Sequence, residues 1–270
     1  MRKVGALITS RGCPYRCIFC YNNWWGTPVR YHSPERVVEE LNQLVKVYGA
    51  KAFYFHDDTF TANKKRVQKI CELMISNGLS GFPWSAWTRA DLVDLELLKI
   101  MKKAGCVKLD FGFESGSQRI LNVIKKETTV GQNRKTIELC KKVGIWLTGS
   151  FMIGNPSETI EEIGMTEQFI EESDLDEFHV SIATPFPGTE LWRWAKERGL
   201  ISDPVDYSSL RIGAESPTAS DKIPKDVLRK IVMRLDAKSM LRRQSKLGLC
   251  WRAIKKPRLF LEYIRAMRSS

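Results

Sequence analysis

No stretch of about eighteen apolar residues occurs in the 270-residue chain, so no transmembrane helix is expected. The opening residues 1–8 carry too short an apolar stretch before Arg11 for a signal peptide. Seven cysteines is an odd number, and outside one cluster they stand alone, which excludes a disulfide framework. Thiols kept free of disulfides point to a reducing, cytoplasmic setting. There is no low-complexity tract, and no G-x-G-x-x-G follows the first apolar run, which removes the dinucleotide fingerprint. Histidine is scarce, with three in all, and His32 and His179 read as structural while His56 ends a strand-like run. Acidic residues are sparse in one region alone. Residues 222–270 hold fifteen Lys and Arg against three Asp and Glu, a balance equal to the whole chain's +12. The rest is neutral, so a polyanionic partner for it is not required.

What is present is a regular rhythm. Strand-like apolar runs recur at 4–9, 52–56, 82–87, 107–113, 146–153 and 178–183, with amphipathic helical stretches between them. Gly49, Gly78, Gly105 and Gly144 close the intervening helices, and Gly199 closes the last, as left-handed glycines commonly do. Starts are marked as well: Ser33 precedes Pro34 as an N-cap, and Thr159 with Glu162 has capping-box spacing. Leu41, Leu44, Val45 and Tyr48 supply one apolar face of the first helix. Strands alternating with helices imply an α/β fold with parallel strands and right-handed crossovers. Six units are too few for a closed eight-stranded barrel. In such folds ligand groups gather at the C-terminal ends of the strands.

Just past the first run comes Thr9-Ser10-Arg11-Gly12-Cys13-Pro14-Tyr15-Arg16-Cys17-Ile18-Phe19-Cys20, with three cysteines spaced C-x3-C-x2-C. Iron–sulfur clusters are normally held by four Cys thiolates. No fourth cysteine follows before Cys71. A cubane on three thiolates leaves one iron open, and an open metal position is a place for chemistry, as in catalytic zinc sites. Cys71, Cys106, Cys140 and Cys250 read as lone structural cysteines.

The motif, with Phe19 before its third cysteine, resembles that of the radical S-adenosylmethionine (radical SAM) enzymes. The resemblance implies a 4Fe–4S cluster on Cys13, Cys17 and Cys20, S-adenosylmethionine on the open iron, and a partial (β/α)6 TIM-like barrel. It further implies reductive cleavage of S-adenosylmethionine to a 5′-deoxyadenosyl radical. Asp57 and Asp58 end the second strand, where relatives place a carboxylate near the cofactor's amino group. Strand alternation favours Asp57, with helix capping as the other reading. Phe111-Gly112-Phe113-Glu114-Ser115-Gly116 resembles the family's G-x-E-S-G turn, which brings the glutamate to the ribose. Gly112 and Gly116 then leave room for a ligand, while the alternative places Glu114 at the next helix start. Gly149 to Gly154 resembles the G-x-I-x-G strand, with Ser150 and Met152 in place of the first Gly and the Ile, and Gly154 closing it. The cofactor residues expected are thus Phe19, Asp57, Glu114, Ser150, Met152 and Gly154, and no substrate-transforming residue is assigned.

The similarity is greatest to the B12-binding-domain radical SAM proteins, the group of the anaerobic magnesium-protoporphyrin cyclase. Their cobalamin domain carries D-x-H-x-x-G, a pattern absent from these residues. The expectation is therefore a radical SAM enzyme without that domain, acting on a small, lipid-like or tetrapyrrole substrate. It would use an electron donor such as flavodoxin or ferredoxin, with cobalamin supplied by another chain or not used. The alternatives are a non-catalytic or truncated iron–sulfur partner and a tRNA-modifying radical SAM enzyme, though no RNA-binding module accompanies the barrel. Residues 1–200 form the expected partial barrel, and 201–270 an irregular crossing segment and a basic helical extension. Trp24, Trp25, Trp84 and Trp87 either line a pocket for an apolar substrate or pack the core. The tail's basic face is either solvated or laid weakly on an anionic membrane surface.

Overall fold

The computed structural model describes residues 3–21, 28–201, 210 and 217–243. Most of the expected crossing segment, the tail beyond residue 243, Trp24, Trp25 and Cys250 lie outside the described residues. Six strands follow the expected rhythm: β1 (Val4–Leu7), β4 (Ala52–Phe55), β5 (Trp84–Thr88), β6 (Cys106–Glu114), β7 (Trp146–Ile153) and β8 (Glu177–Ile182). They run in the order β1-β4-β5-β6-β7-β8. A small antiparallel pair, β2 (Ser10–Arg11) and β3 (Arg30–Tyr31), was not legible beforehand. Between the main strands stand α1 (Pro34–Lys46), α2 (Lys64–Ser76), α3 (Leu95–Lys103), α4 (Gln118–Val123), α5 (Val130–Val143) and α6 (Ile160–Glu172). The last two helices are α7 (Glu190–Glu197) and α8 (Lys225–Arg243). The α/β expectation holds.

The described chain divides into two compact units. The first takes residues 3–15, 28–113 and 128–148; the second takes 16–21, 114–127, 149–201, 210 and 217–243.

In the first unit β1 pairs in parallel with β4, Val4 opposite Ala52 and Leu7 opposite Phe55. β4 then pairs with β5, and β5 with β6. Alternation along β4 sends Phe53 and Phe55 under the helices. There Phe55 stacks on Phe60 at 4.6 Å and meets Trp84 edge-on at 5.2 Å. Trp84 donates its indole N–H to Ala104 O at 2.9 Å, so this tryptophan belongs to the core. Trp87, on the opposite face, stays more than a third exposed. Cys71, Cys106 and Cys140 are buried in this unit, and burial pushes the Cys71 thiol up to about 12.

Helix α1 starts as expected, with Ser33 Oγ accepting from Arg36 N at 3.2 Å and Pro34 in the first turn. Its buried stripe is Val37, Val38 and Leu41, not the face ending in Tyr48. The helix stops at Lys46, which leaves Tyr48 in the following turn, mostly exposed.

In the second unit β7 continues beside β8, and α8 packs on β8 through buried Leu228, Val232 and Leu235. Ser239 Oγ donates to Phe178 O and accepts from Phe178 N, fastening helix to strand. Lys225, Arg229 and Lys230 face outward, while Arg234 and Lys238 pair with Glu167 and Glu171 of α6. The Thr159–Glu162 capping box forms, with bonds of 3.1 and 3.4 Å.

Two glycines separate backbone conformation from crowding. Gly144 ends α5 at φ 74° with open space around it, whereas a Cβ on Gly105 (φ 102°) would lie 2.7 Å from Phe82 O and 2.9 Å from Ser80 O. Gly144→Ala is expected to cost about 1 kcal/mol, the left-handed strain alone. Gly105→Ala should cost more than about 2 kcal/mol, since carbonyl oxygens must also move. Urea unfolding of the two variants checks the order, and equal losses would contradict it.

Candidate functional site

The exit of β1 is tied down before the cysteines begin. Asp57, buried at the end of β4, accepts from Thr9 N, Thr9 Oγ1 and Ser10 Oγ, each at 2.6 Å. Arg66 of α2 reaches the same turn, its Nη2 donating to Thr9 O at 2.8 Å and its Nε to His32 O at 2.9 Å. Burial lowers the Arg66 pKa, and the Asp57 charge works against that shift. Its Nη1 is buried with no acceptor among the described residues. Asp58 accepts from Gly12 N at 2.9 Å, and the Cys13 sulfur lies 3.5 Å from Thr59 Oγ1. The two aspartates thus divide as alternation requires, Asp57 inward and Asp58 exposed. Tyr15 lies under the Arg89 guanidinium at 3.5 Å, and burial pushes its phenol up to about 12.

Cys17, Phe19 and Cys20 belong to the second unit. Ile18 between them is held by its backbone, its N–H donating to Ile124 O at 3.1 Å and its carbonyl accepting from Leu191 N at 2.9 Å. Cys20 N donates to Cys17 O at 3.0 Å, which closes the turn. Cys17 is buried, and Cys13 and Cys20 are half-buried.

Glu114 ends β6 in the left-handed region at φ 65°, an uncommon conformation for a residue with a side chain. Its Oε1 accepts from buried Lys126 at 2.8 Å. Lys126 offered no signal in sequence, being one lysine among many. Gly116 does not leave room for a ligand: a Cβ there would lie 2.4 Å from Met165 O, so its space is filled by the backbone of α6. Nearby Glu162 is the hub of a polar network, accepting from Arg119 Nε at 2.7 Å and Ser117 Oγ at 3.0 Å. The bond from Arg119 leads in holding its carboxyl down at about 2.

At the end of β7, Ser150 is half-buried and Met152 and Gly154 are buried. Gly154, at φ 75°, would carry a Cβ 2.7 Å from Leu228 Cδ1 of α8. Asn155 N donates to Glu158 Oε2 at 2.9 Å, yet Asn155 Oδ1 and Glu158 Oε1 are buried with no donor among the described residues. Burial pushes the Glu158 carboxyl up to about 7 against these hydrogen bonds. A neutral carboxyl can turn an orphaned oxygen into a donor. Glu158 was visible only as part of a turn, because nothing in its neighbours' letters announces burial.

Among the described residues no group of three or more Cys, His, Asp or Glu could hold a metal ion. An iron–sulfur cluster takes one thiolate per iron corner, and three cysteines lie here within eight residues, none in a disulfide. Thiolate is the donor type which that group takes.

Residues 7–170 match the Radical SAM superfamily. An uncharacterized methyltransferase of Pyrococcus horikoshii is 43% identical over 198 residues, 73% of this chain and 43% of that protein. The anaerobic magnesium-protoporphyrin IX monomethyl ester cyclase of Cereibacter sphaeroides is 34% identical over 202 residues, 74% of this chain and 33% of the cyclase. The chain thus spans less than half the length of these relatives. Among solved structures, the cobalamin-dependent S-adenosylmethionine radical enzyme OxsB, with aqua-cobalamin and S-adenosylmethionine bound, aligns with a TM-score of 0.68. That alignment is 18% identical and covers 98% of this chain and 45% of OxsB. The likeness is one of fold, and it agrees with the partial barrel expected.

Two outcomes follow from the buried acids. Asp57→Asn removes charge-assisted bonds to Thr9 and Ser10 and should lower stability by about 2–3 kcal/mol, read by urea unfolding; an unchanged midpoint would contradict the clamp. For Glu158, the folded chain keeps a proton between pH 4.5 and about 7 that the unfolded chain has released. Stability should therefore fall as pH rises through that window. Melting temperatures from pH 5 to 8 should show this slope in the parent and a flatter one in Glu158→Gln.

Proposed function

Because the chain belongs to the Radical SAM superfamily, an enzyme family whose cofactors are a 4Fe–4S cluster and S-adenosylmethionine, we propose that Cys13, Cys17 and Cys20 hold such a cluster here. The reading is carried by one observation: the C-x3-C-x2-C loop leaves a strand end fixed by Asp57 and Arg66, with none of its cysteines in a disulfide. With S-adenosylmethionine bound, a cluster of this kind supplies the reductive cleavage that yields a 5′-deoxyadenosyl radical.

This chain's own residues then bind and orient. Asp57 spends three of its roughly four acceptor positions on Thr9 and Ser10, leaving one for the cofactor's ammonium. Glu114, held by Lys126, is assigned to the ribose hydroxyls, since a fixed carboxylate accepts from both at little entropic cost. Phe19, Ser150, Met152 and Gly154 are assigned to the adenosyl group, where half-buried and apolar surface excludes water. Residues 1–200 are assigned to this chemistry and 201–270 to an extension.

The substrate proposed is small and lipid-like or a tetrapyrrole, supported by the relation to a cyclase that acts on a protoporphyrin ester. An electron donor of the flavodoxin or ferredoxin kind supplies the reducing electron, and cobalamin, which OxsB binds, comes from another chain where the reaction uses it. The basic face of the tail is assigned a weak contact with anionic lipid. Among the described residues no helix is long and apolar enough to cross a membrane.

Anaerobic reconstitution tests the reading. The parent chain should take up iron and sulfide and, once reduced by dithionite, release 5′-deoxyadenosine from S-adenosylmethionine. With all three cysteines changed to Ala, both cluster and product should disappear. Unchanged iron content would sink the ligand assignment. A cluster whose EPR signal ignores S-adenosylmethionine would favour an electron-transfer protein instead.

A further inference from the structure

Within the first unit, β1 stands at the end of the strand order and, among the described residues, pairs only with β4. Alongside it lies an open cleft of about 540 Å³, within the few-hundred to thousand Å³ range of small-molecule sites. None of its lining residues is among the ligands proposed above.

The cleft is chemically two-ended. Arg11, His32 and Arg36 line it near the end of β1 and the start of α1. Its one lining carboxylate, Glu40, is already engaged by Arg36 Nε at 2.8 Å, which leaves the other N–H groups of that fork available. Arg11 is exposed and has no carboxylate partner among the described residues. Toward the C-terminal end of α1 the lining turns to Ala6, Leu44 and Tyr48. Arg36 and Leu44, both within α1, are eight positions apart, roughly 12 Å at helical rise, so the cleft is elongated, with its cations at one end. Tyr48 remains more than half exposed at that end, and Ile8, just past β1, is about half exposed.

We infer that this cleft binds a small amphiphilic anion, a carboxylate or phosphate head on a short apolar body. Guanidinium forks match either head bidentately, which a neutral polar head does not reproduce. The apolar body covers Leu44 and Tyr48, surface that otherwise stays wet.

Isothermal titration of the full chain with hexyl phosphate, hexanoate, inorganic phosphate and hexanol tests the inference. Hexyl phosphate should bind at least about tenfold tighter than inorganic phosphate, because the head alone forgoes the apolar burial. The comparison with hexanoate decides which head is preferred, and hexanol should give no heat. Arg36→Gln should weaken hexyl phosphate about tenfold, the loss of one charge-assisted contact. Tyr48→Ala should weaken hexyl phosphate but leave inorganic phosphate unchanged. Lys46→Gln, the same charge change on α1 away from the lining, should alter nothing. Circular dichroism and the melting temperature establish that each variant is folded. Equal effects of Arg36→Gln and Lys46→Gln, binding of hexanol as tight as hexyl phosphate, or no binding by any probe would each overturn the assignment.

Discussion

The course of the chain from β1 into the cysteine loop is set by the buried carboxylate of Asp57. A β-strand end has no reason of its own to hold one course, since its ladder stops where its partner stops. Here three donors from Thr9 and Ser10 converge on one carboxylate, and the Thr9 carbonyl is taken by Arg66. Opposite charges facing one short turn from β4 and α2 fix its position more firmly than neutral groups would. Breaking one side would leave the other charge buried without compensation, which is the costly case.

The second unit uses a different means. Ile18 is held through its peptide N–H and C=O, so no substitution of its side chain, proline apart, removes the grip directly. Elsewhere in that unit two ionisable groups are driven to opposite ends of the acidic range. Glu162, bound by Arg119, stays charged far into acid, while Glu158, a turn earlier and shut away from water, gives up its proton only near neutrality. Two glutamates four residues apart thus carry different charge because one has a cation and the other has burial.

Much of this was legible in the sequence, and the physical reason is locality. Strand boundaries lie within two residues of the apolar runs, and several helix ends are marked, because apolar period, caps and left-handed glycines are written in adjacent letters: Ser33 and Pro34, Thr159 and Glu162, Gly144. The misreadings lie where the cause is distant. Tyr48 fits the helical period of α1 but falls past its end. Gly116 looks like space for a ligand, and is instead where α6 comes close. Lys126 pairs with Glu114 twelve residues back, and Asp57 bonds Thr9 across forty-eight. Such partners are chosen by the fold, and no spacing rule announces them. The β2–β3 pair, two residues a side, is too short to show a period.

The double grip on Ile18 has a consequence in time. The cysteine loop is made well before Leu191, yet its second backbone contact is with that residue. At roughly 5–20 residues per second, Leu191 is added about ten to thirty-five seconds after Ile18 by that synthesis rate. Through that interval the Ile18 carbonyl lacks the Leu191 N–H that holds it in the folded chain. The order of synthesis therefore separates the making of the cysteines from their fixing, and the segment made earlier is completed later.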